Sequence, residues 1–76
     1  MFENNPEKFL NFIVEKVKYE RKKRKISQLK LANILDFNSP NYIAKIETRK
    51  HNVSYNLLHL CKISEAFDME VKDFIP

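Results

Sequence analysis

Ile26-Ser27-Gln28-Leu29-Lys30-Leu31-Ala32-Asn33-Ile34-Leu35, a break at Asp36-Phe37-Asn38, then Ser39-Pro40-Asn41-Tyr42-Ile43-Ala44-Lys45-Ile46-Glu47: the fold is decided in this stretch. Ser27 is a favourable N-cap, and Leu31, Ala32 and Leu35 recur at the three- and four-residue spacing of one helical face. Ser39-Pro40 then restarts the pattern, a capping hydroxyl followed by proline, whose missing N–H is harmless at the first helical position. Two short amphipathic helices joined by a tight turn are predicted, the second ending near Glu47 or Thr48.

The flanks continue in the same manner. A first helix is predicted from about Pro6 to Lys25, with Phe9, Ile13 and Val17 at intervals of four and Leu10 and Val14 widening the stripe. Glu7 at its start and Arg21 to Lys25 at its end suit the helix dipole. After a loop at Arg49, Lys50, His51, Asn52 and Val53, Ser54 is the expected cap of a fourth helix whose Leu57, Leu60, Ile63 and Phe67 face the core. Asp68-Met69-Glu70 leads to a last helical turn in which Val71, Phe74 and Ile75 pack back. Cys61 reads as a small core residue and His59 as the edge of the same core. The chain has no glycine, which argues against hairpins and nucleotide loops and for helices closed by Asn, Asp or Ser. The class is all-α.

Seventy-six residues make one domain, 1–76, in which residues 1–8 read as an N-terminal extension and 27–47 as the bihelical unit. At this size about 60–65% of the unfolded surface can be buried, which leaves no room for an enclosed substrate cavity. Six Phe and 43% apolar residues exclude a disordered tail, and no apolar run approaches the roughly 18 residues that cross a bilayer. Nothing near Met1 signals export, and one cysteine fits a reducing compartment, so a cytoplasmic location is expected. The net charge of +4 is uneven: residues 1–15 carry −2, residues 16–50 carry +8 and residues 51–76 carry −2. A basic centre between acidic ends is the footprint of a polyanion site, although a lysine-rich solvated face would look the same by charge alone.

Together the pattern and the charge describe a helix-turn-helix able to offer its second helix to the major groove of DNA. At 100° per residue, Ile43, Ile46 and Glu47 share one side of helix three, which turns Asn41 and Lys45 to the other, with Thr48 beside them and Tyr42 and Ala44 flanking. Asn reads adenine and Lys reaches guanine, so Asn41 and Lys45 are the expected base readers, with Ser39, Tyr42 and Thr48 as lesser candidates. The plainer roles stand beside these: Asn41 supporting the cap, Lys45 touching phosphate alone, and Tyr42 packing its ring, which is the preferred reading for that residue. Lys30, Arg49, Lys50 and Asn52 are phosphate candidates; His51 is expected to be solvated.

Arg21 to Glu47 and Ile63 to Ile75 resemble the phage-repressor and Cro type of helix-turn-helix, the XRE-like regulators. The likeness rests on Ser27-Gln28, Leu31-Ala32, Tyr42-Ile43-Ala44-Lys45-Ile46-Glu47 and the closing run Ile63-Ser64-Glu65-Ala66-Phe67-Asp68-Met69-Glu70-Val71-Lys72-Asp73-Phe74, and covers most of the chain. It implies a compact five-helix, lambda-repressor-like domain, an Arg21–Glu47 ion pair of structural role, and a phosphate contact at Gln28. Such families often place glycine after helices two and three, where Asp36 and Arg49 stand here.

The function these features predict is a sequence-specific regulator of transcription, a homodimeric repressor or controller on a palindromic operator. The alternative is an antitoxin-type module that neutralises a partner protein through its acidic ends and Phe2 or Phe37. A basic amphipathic membrane helix at residues 8–25 is weaker, because the core needs its apolar stripe. No enzyme, cofactor or metal is expected: His51, His59 and Cys61 lack ligand spacing, and no glycine loop exists for phosphate.

Overall fold

A computed structural model describes residues 5–50 and 52–76. Helix α1 spans Pro6–Lys23, α2 Gln28–Ile34, α3 Asn41–Thr48 and α4 Leu57–Phe67; a 3₁₀ turn, Val71–Phe74, follows, and the described residues form no strand. The expected fifth helix is therefore this single turn. The expectations placed on Phe2 and His51 lie outside the described residues.

Asn5 opens α1, its side-chain oxygen accepting the Lys8 N–H at 3.1 Å with Pro6 in the first turn. Pro6, Glu7 and Lys8 thus belong to the helix and not to an extension. Ser27 caps α2 through the Lys30 N–H at 3.0 Å. Ser39 accepts the Asn41 N–H at 3.3 Å, and Pro40 is already in helical conformation, its carbonyl taking the Ala44 N–H.

Three helices close in the same way without glycine. At the end of α1, Lys25 N–H bonds the Lys22 carbonyl and Ile26 N–H the Arg21 carbonyl, the paired bonds of a Schellman motif. Asp36 and Phe37 repeat the pattern on Asn33 and Ala32 after α2, and Asp68 and Met69 repeat it on Glu65 and Ser64 after α4. Each motif needs one left-handed residue, and Lys25, Asp36 and Asp68 supply it at φ 58°, 64° and 56°. The residue after each, Ile26, Phe37 or Met69, packs on the core. Helix α1 therefore stops at Lys23, two residues before the expected Lys25, because Ile26 must turn inward.

The core joins Ile13, Val14 and Val17 of α1, Leu31, Ala32 and Leu35 at α2, Ile43 and Ile46 of α3, and Leu60, Ile63 and Phe67 of α4, with Phe74 beneath. Each such aliphatic side chain contributes about 1.5–3 kcal/mol by leaving water. The closing turn packs on α1 and α4, while α2 lies against both α3 and α4.

Helix α4 departs from expectation at its start. Asn56, not Ser54, is the cap: its side chain accepts the His59 N–H at 2.8 Å and His59 Nδ1 accepts the Asn56 N–H at 3.2 Å. Tyr55, in the non-helical chain just before the cap, fills the core position assigned to Leu57, which stands in solvent at 70% exposure. Cys61, about 100° round the helix from Leu60, is exposed instead of buried, and Ile75 is exposed where it was expected to pack.

Candidate nucleic-acid interface

The interface begins with the group that orients α3. Arg21 donates Nε–H to Glu47 Oε2 at 2.9 Å and Nη2–H to Oε1 at 3.0 Å, a bidentate pair with side chains only 8% and 5% exposed. Its remaining nitrogen, Nη1, donates to the Ile26 carbonyl at 2.8 Å. Gln28 Nε2 donates to Glu47 Oε1 at 2.9 Å, so one carboxylate joins α1, the start of α2 and the buried side of α3. This contact places the Gln28 amide, implied by family likeness as a phosphate contact, on the protein's own ion pair.

Helix α3 buries Ile43, Ile46 and Glu47 and leaves Asn41, Tyr42, Lys45 and Thr48 exposed, with Ala44 between. Neither the Asn41 amide nor the Lys45 ammonium has a side-chain partner among the described residues, so both can meet a ligand. Thr48 donates its hydroxyl to the Lys45 carbonyl at 2.9 Å, and Ser39 spends a lone pair on its cap. Tyr42 does two things: its ring lies 4.8 Å from that of Phe37, and it remains 39% exposed. The only acid on α3 is turned inward and neutralised, α2 carries none, and the exposed Asp36 of the turn between them is paired with Lys62 of α4.

Lys30 on α2 and Lys50 and Asn52 after α3 are exposed. Arg49 is different. It is half-buried in left-handed conformation at φ 58°, its Nε–H bonded to Asn11 Oδ1 at 2.6 Å and its Nη1–H to the Val53 carbonyl. The sequence reading missed this tie between α1 and the loop, since Asn11 is one of several polar residues on the outer face and nothing local marks it.

The basic run divides. Arg21 is buried, and Arg24 reaches the Phe67 carbonyl at 2.9 Å and lies 4.8 Å over the Phe67 ring, fastening α1 to the end of α4. Arg24 and Lys16 also flank the buried Glu20, and their bonds hold its carboxyl below the usual carboxylate range. The four-residue spacing of Lys16, Glu20 and Arg24 was a readable signal for this cluster. Lys22, Lys23 and Lys25 stay exposed and unpaired among the described residues.

Behind the turn, Phe37 links the recognition helix to α4, with His59 at 5.3 Å edge-on and Tyr55 6.2 Å beyond. Burial, then the neighbouring Lys62, lowers the His59 pKa below the ordinary imidazole value. Burial also raises the Tyr55 pKa, with the Glu47 charge adding to it. Among the described residues no group of three or more His, Cys, Asp and Glu is gathered for a metal ion, and no helix is long and apolar enough to cross a membrane.

Comparison with known proteins agrees with this geometry. The helix-turn-helix family model matches residues 17–74, from the middle of α1 to the closing turn. No curated protein and no solved structure matches the chain. A match over that much of the chain, on a five-element helical frame with the bihelical unit at α2 and α3, makes this a DNA-binding transcriptional regulator of the phage-repressor and Cro type of helix-turn-helix family.

Proposed function

We propose that the protein binds a palindromic operator as a homodimer and represses or otherwise controls the adjoining promoter. Asn41 and Lys45 read base edges from the major groove, with Thr48, Ser39 and the free edge of Tyr42 beside them, while Lys30, Lys50 and Asn52 hold phosphates, joined by Gln28 only through the Nε2–H that Glu47 does not take. Arg49 contributes there chiefly by fixing the loop. The observation that supports this most directly is the exposed Asn41 amide and Lys45 ammonium, neither with a side-chain partner among the described residues, on a helix whose one acid is turned away.

A second copy is favoured by Leu57 and Leu58, 70% and 62% exposed at the start of α4, beside a groove lined by Ile34, Cys61, Lys62, Glu65 and Ala66. In such a dimer the two α3 helices would meet half-sites about 34–36 Å apart. The antitoxin reading draws less support, because Phe37 is half-buried between Tyr42 and His59. Fluorescence anisotropy on the DNA upstream of its own gene, with random duplex as competitor, tests the proposal. Saturable binding that falls steeply with salt and prefers the promoter is expected; equal binding to random duplex refutes sequence reading.

A further inference from the structure

Among the described residues, five with side chains adopt the left-handed conformation: Lys25, Asp36, Arg49, Asn52 and Asp68. Three are Asp or Asn, whose short polar side chains bond locally and make that conformation tolerable. The two cations stand at the corners bracketing the bihelical unit, Lys25 before α2 and Arg49 after α3. Arg49 is accounted for by its bonds to Asn11 and Val53. Lys25 is not: it is exposed and has no ion pair or side-chain hydrogen bond among the described residues. The α1 closure requires a left-handed residue there, but it does not require a lysine, and glycine or asparagine would serve with less strain. A left-handed residue that is not Gly, Asn or Asp, with an idle charge, points to function.

Its position says which function. Lys25 lies three residues before Gln28, at most about 11 Å along the chain, and Gln28 is bonded to Glu47, two residues beyond Lys45 on α3. The corner therefore opens α2, whose start is tied to the inner side of α3 and whose Lys30 is exposed, and Lys22, whose carbonyl accepts the Lys25 N–H at 2.9 Å, adds a second unpaired cation one turn back. Glu20 and Glu47 near this end are committed, to Lys16 and Arg24 and to Arg21, and the exposed Asp68 at the end of α4 has no ion pair with Lys25. We infer that Lys25 is a phosphate anchor at the α1–α2 corner, extending the DNA contact surface beyond the two helices of the motif. It grips any sequence alike and fixes the register in which α3 enters the groove.

The inference rests on the DNA-binding reading, and Lys25→Gly separates the two. One lost phosphate contact lowers the slope of log Kobs against log salt by about 0.9, so raising salt from 50 to 200 mM should weaken the variant about 3.5-fold less than wild type. Operator and random duplex should lose affinity in equal proportion, and the thermal midpoint should stay at or above the wild-type value. Lys25→Arg should restore the slope, and Lys72→Ala, in an exposed pair with Glu70, should leave it unchanged. An unchanged slope in Lys25→Gly, failure of Lys25→Arg to restore it, or a lower midpoint in Lys25→Gly overturns the anchor while leaving DNA binding intact. Absence of duplex binding by the wild type overturns both.

Discussion

Replacing Glu47 by Leu should unfold much of what holds α3 in place. The carboxylate accepts two hydrogen bonds from Arg21 and one from Gln28, and the ion pair is nearly out of solvent. Without it the Arg21 guanidinium keeps only the Ile26 carbonyl, leaving a buried charge without its counter-ion. Removing one partner of such a pair costs about 3–5 kcal/mol, against a total of roughly 4–11 kcal/mol for a domain of this size. At about 4–8 °C per kcal/mol, the thermal midpoint should fall by at least about 12 °C. Urea unfolding followed by far-ultraviolet circular dichroism measures this directly, and an unchanged m-value would show that the loss is in stability and not in the extent of unfolding. The double variant Arg21→Met/Glu47→Leu, which removes both charges, should recover most of the loss. The reasoning fails if Glu47→Leu costs under about 1 kcal/mol, the range of exposed pairs, or if the double variant is no more stable than Glu47→Leu alone.

Three other outcomes follow from the same geometry. Ile43→Ala, at a fully buried site, should cost about 2–5 kcal/mol, whereas Asn41→Ala and Lys45→Ala should change stability by no more than about 0.5 kcal/mol and each lose about 1–3 kcal/mol of base discrimination; a large drop in midpoint for Lys45→Ala would mean that α3 is turned otherwise. His59, with its pKa lowered in the folded state, takes up its proton first in the unfolded chain, so its contribution is present above the ordinary value of about 6.5 and lost as pH falls below it. A protonated ring cannot accept the Asn56 N–H, so the urea midpoint should drop between pH 7.5 and 5.5 and drop less in His59→Gln; equal drops exonerate the imidazole. Tyr55→Phe should be neutral or up to about 1 kcal/mol more stable by urea unfolding, since the buried Tyr55 hydroxyl has no hydrogen-bond partner among the described residues; a clear destabilisation would reveal one.

The bihelical unit was legible because each of its signals is local: Ser27 and Ser39 lie within three residues of the amides they accept, and the Ile43–Ile46 spacing fixes a face by angle alone. Glu47 gave no such signal by itself, and its pairing with Arg21 across 26 residues was implied only through family likeness. The start of α4 was misread because Ser54 and Asn56 are comparable caps by propensity, and what separates them is the burial of Tyr55 between them. That choice shifts which turn meets the core, leaving Leu57 outside; Cys61 was misassigned by its apolar neighbours, although its angle from Leu60 already turned it outward. The closure of α1 was obscured by five consecutive cations, which all suit a helix end and so mark none in particular.

The glycine-free closures also bear on the chain before it folds. A residue with a Cβ samples fewer backbone states than glycine, so Lys25, Asp36 and Asp68 narrow the denatured ensemble at the three points where helices must later stop. Part of the strain carried by each closure in the folded state is thus offset by entropy that the unfolded chain never had. Glycine substitutions at these corners should therefore raise stability by less than relief of the left-handed strain alone would suggest, and least at Asp36 and Asp68, whose side chains already favour the turn.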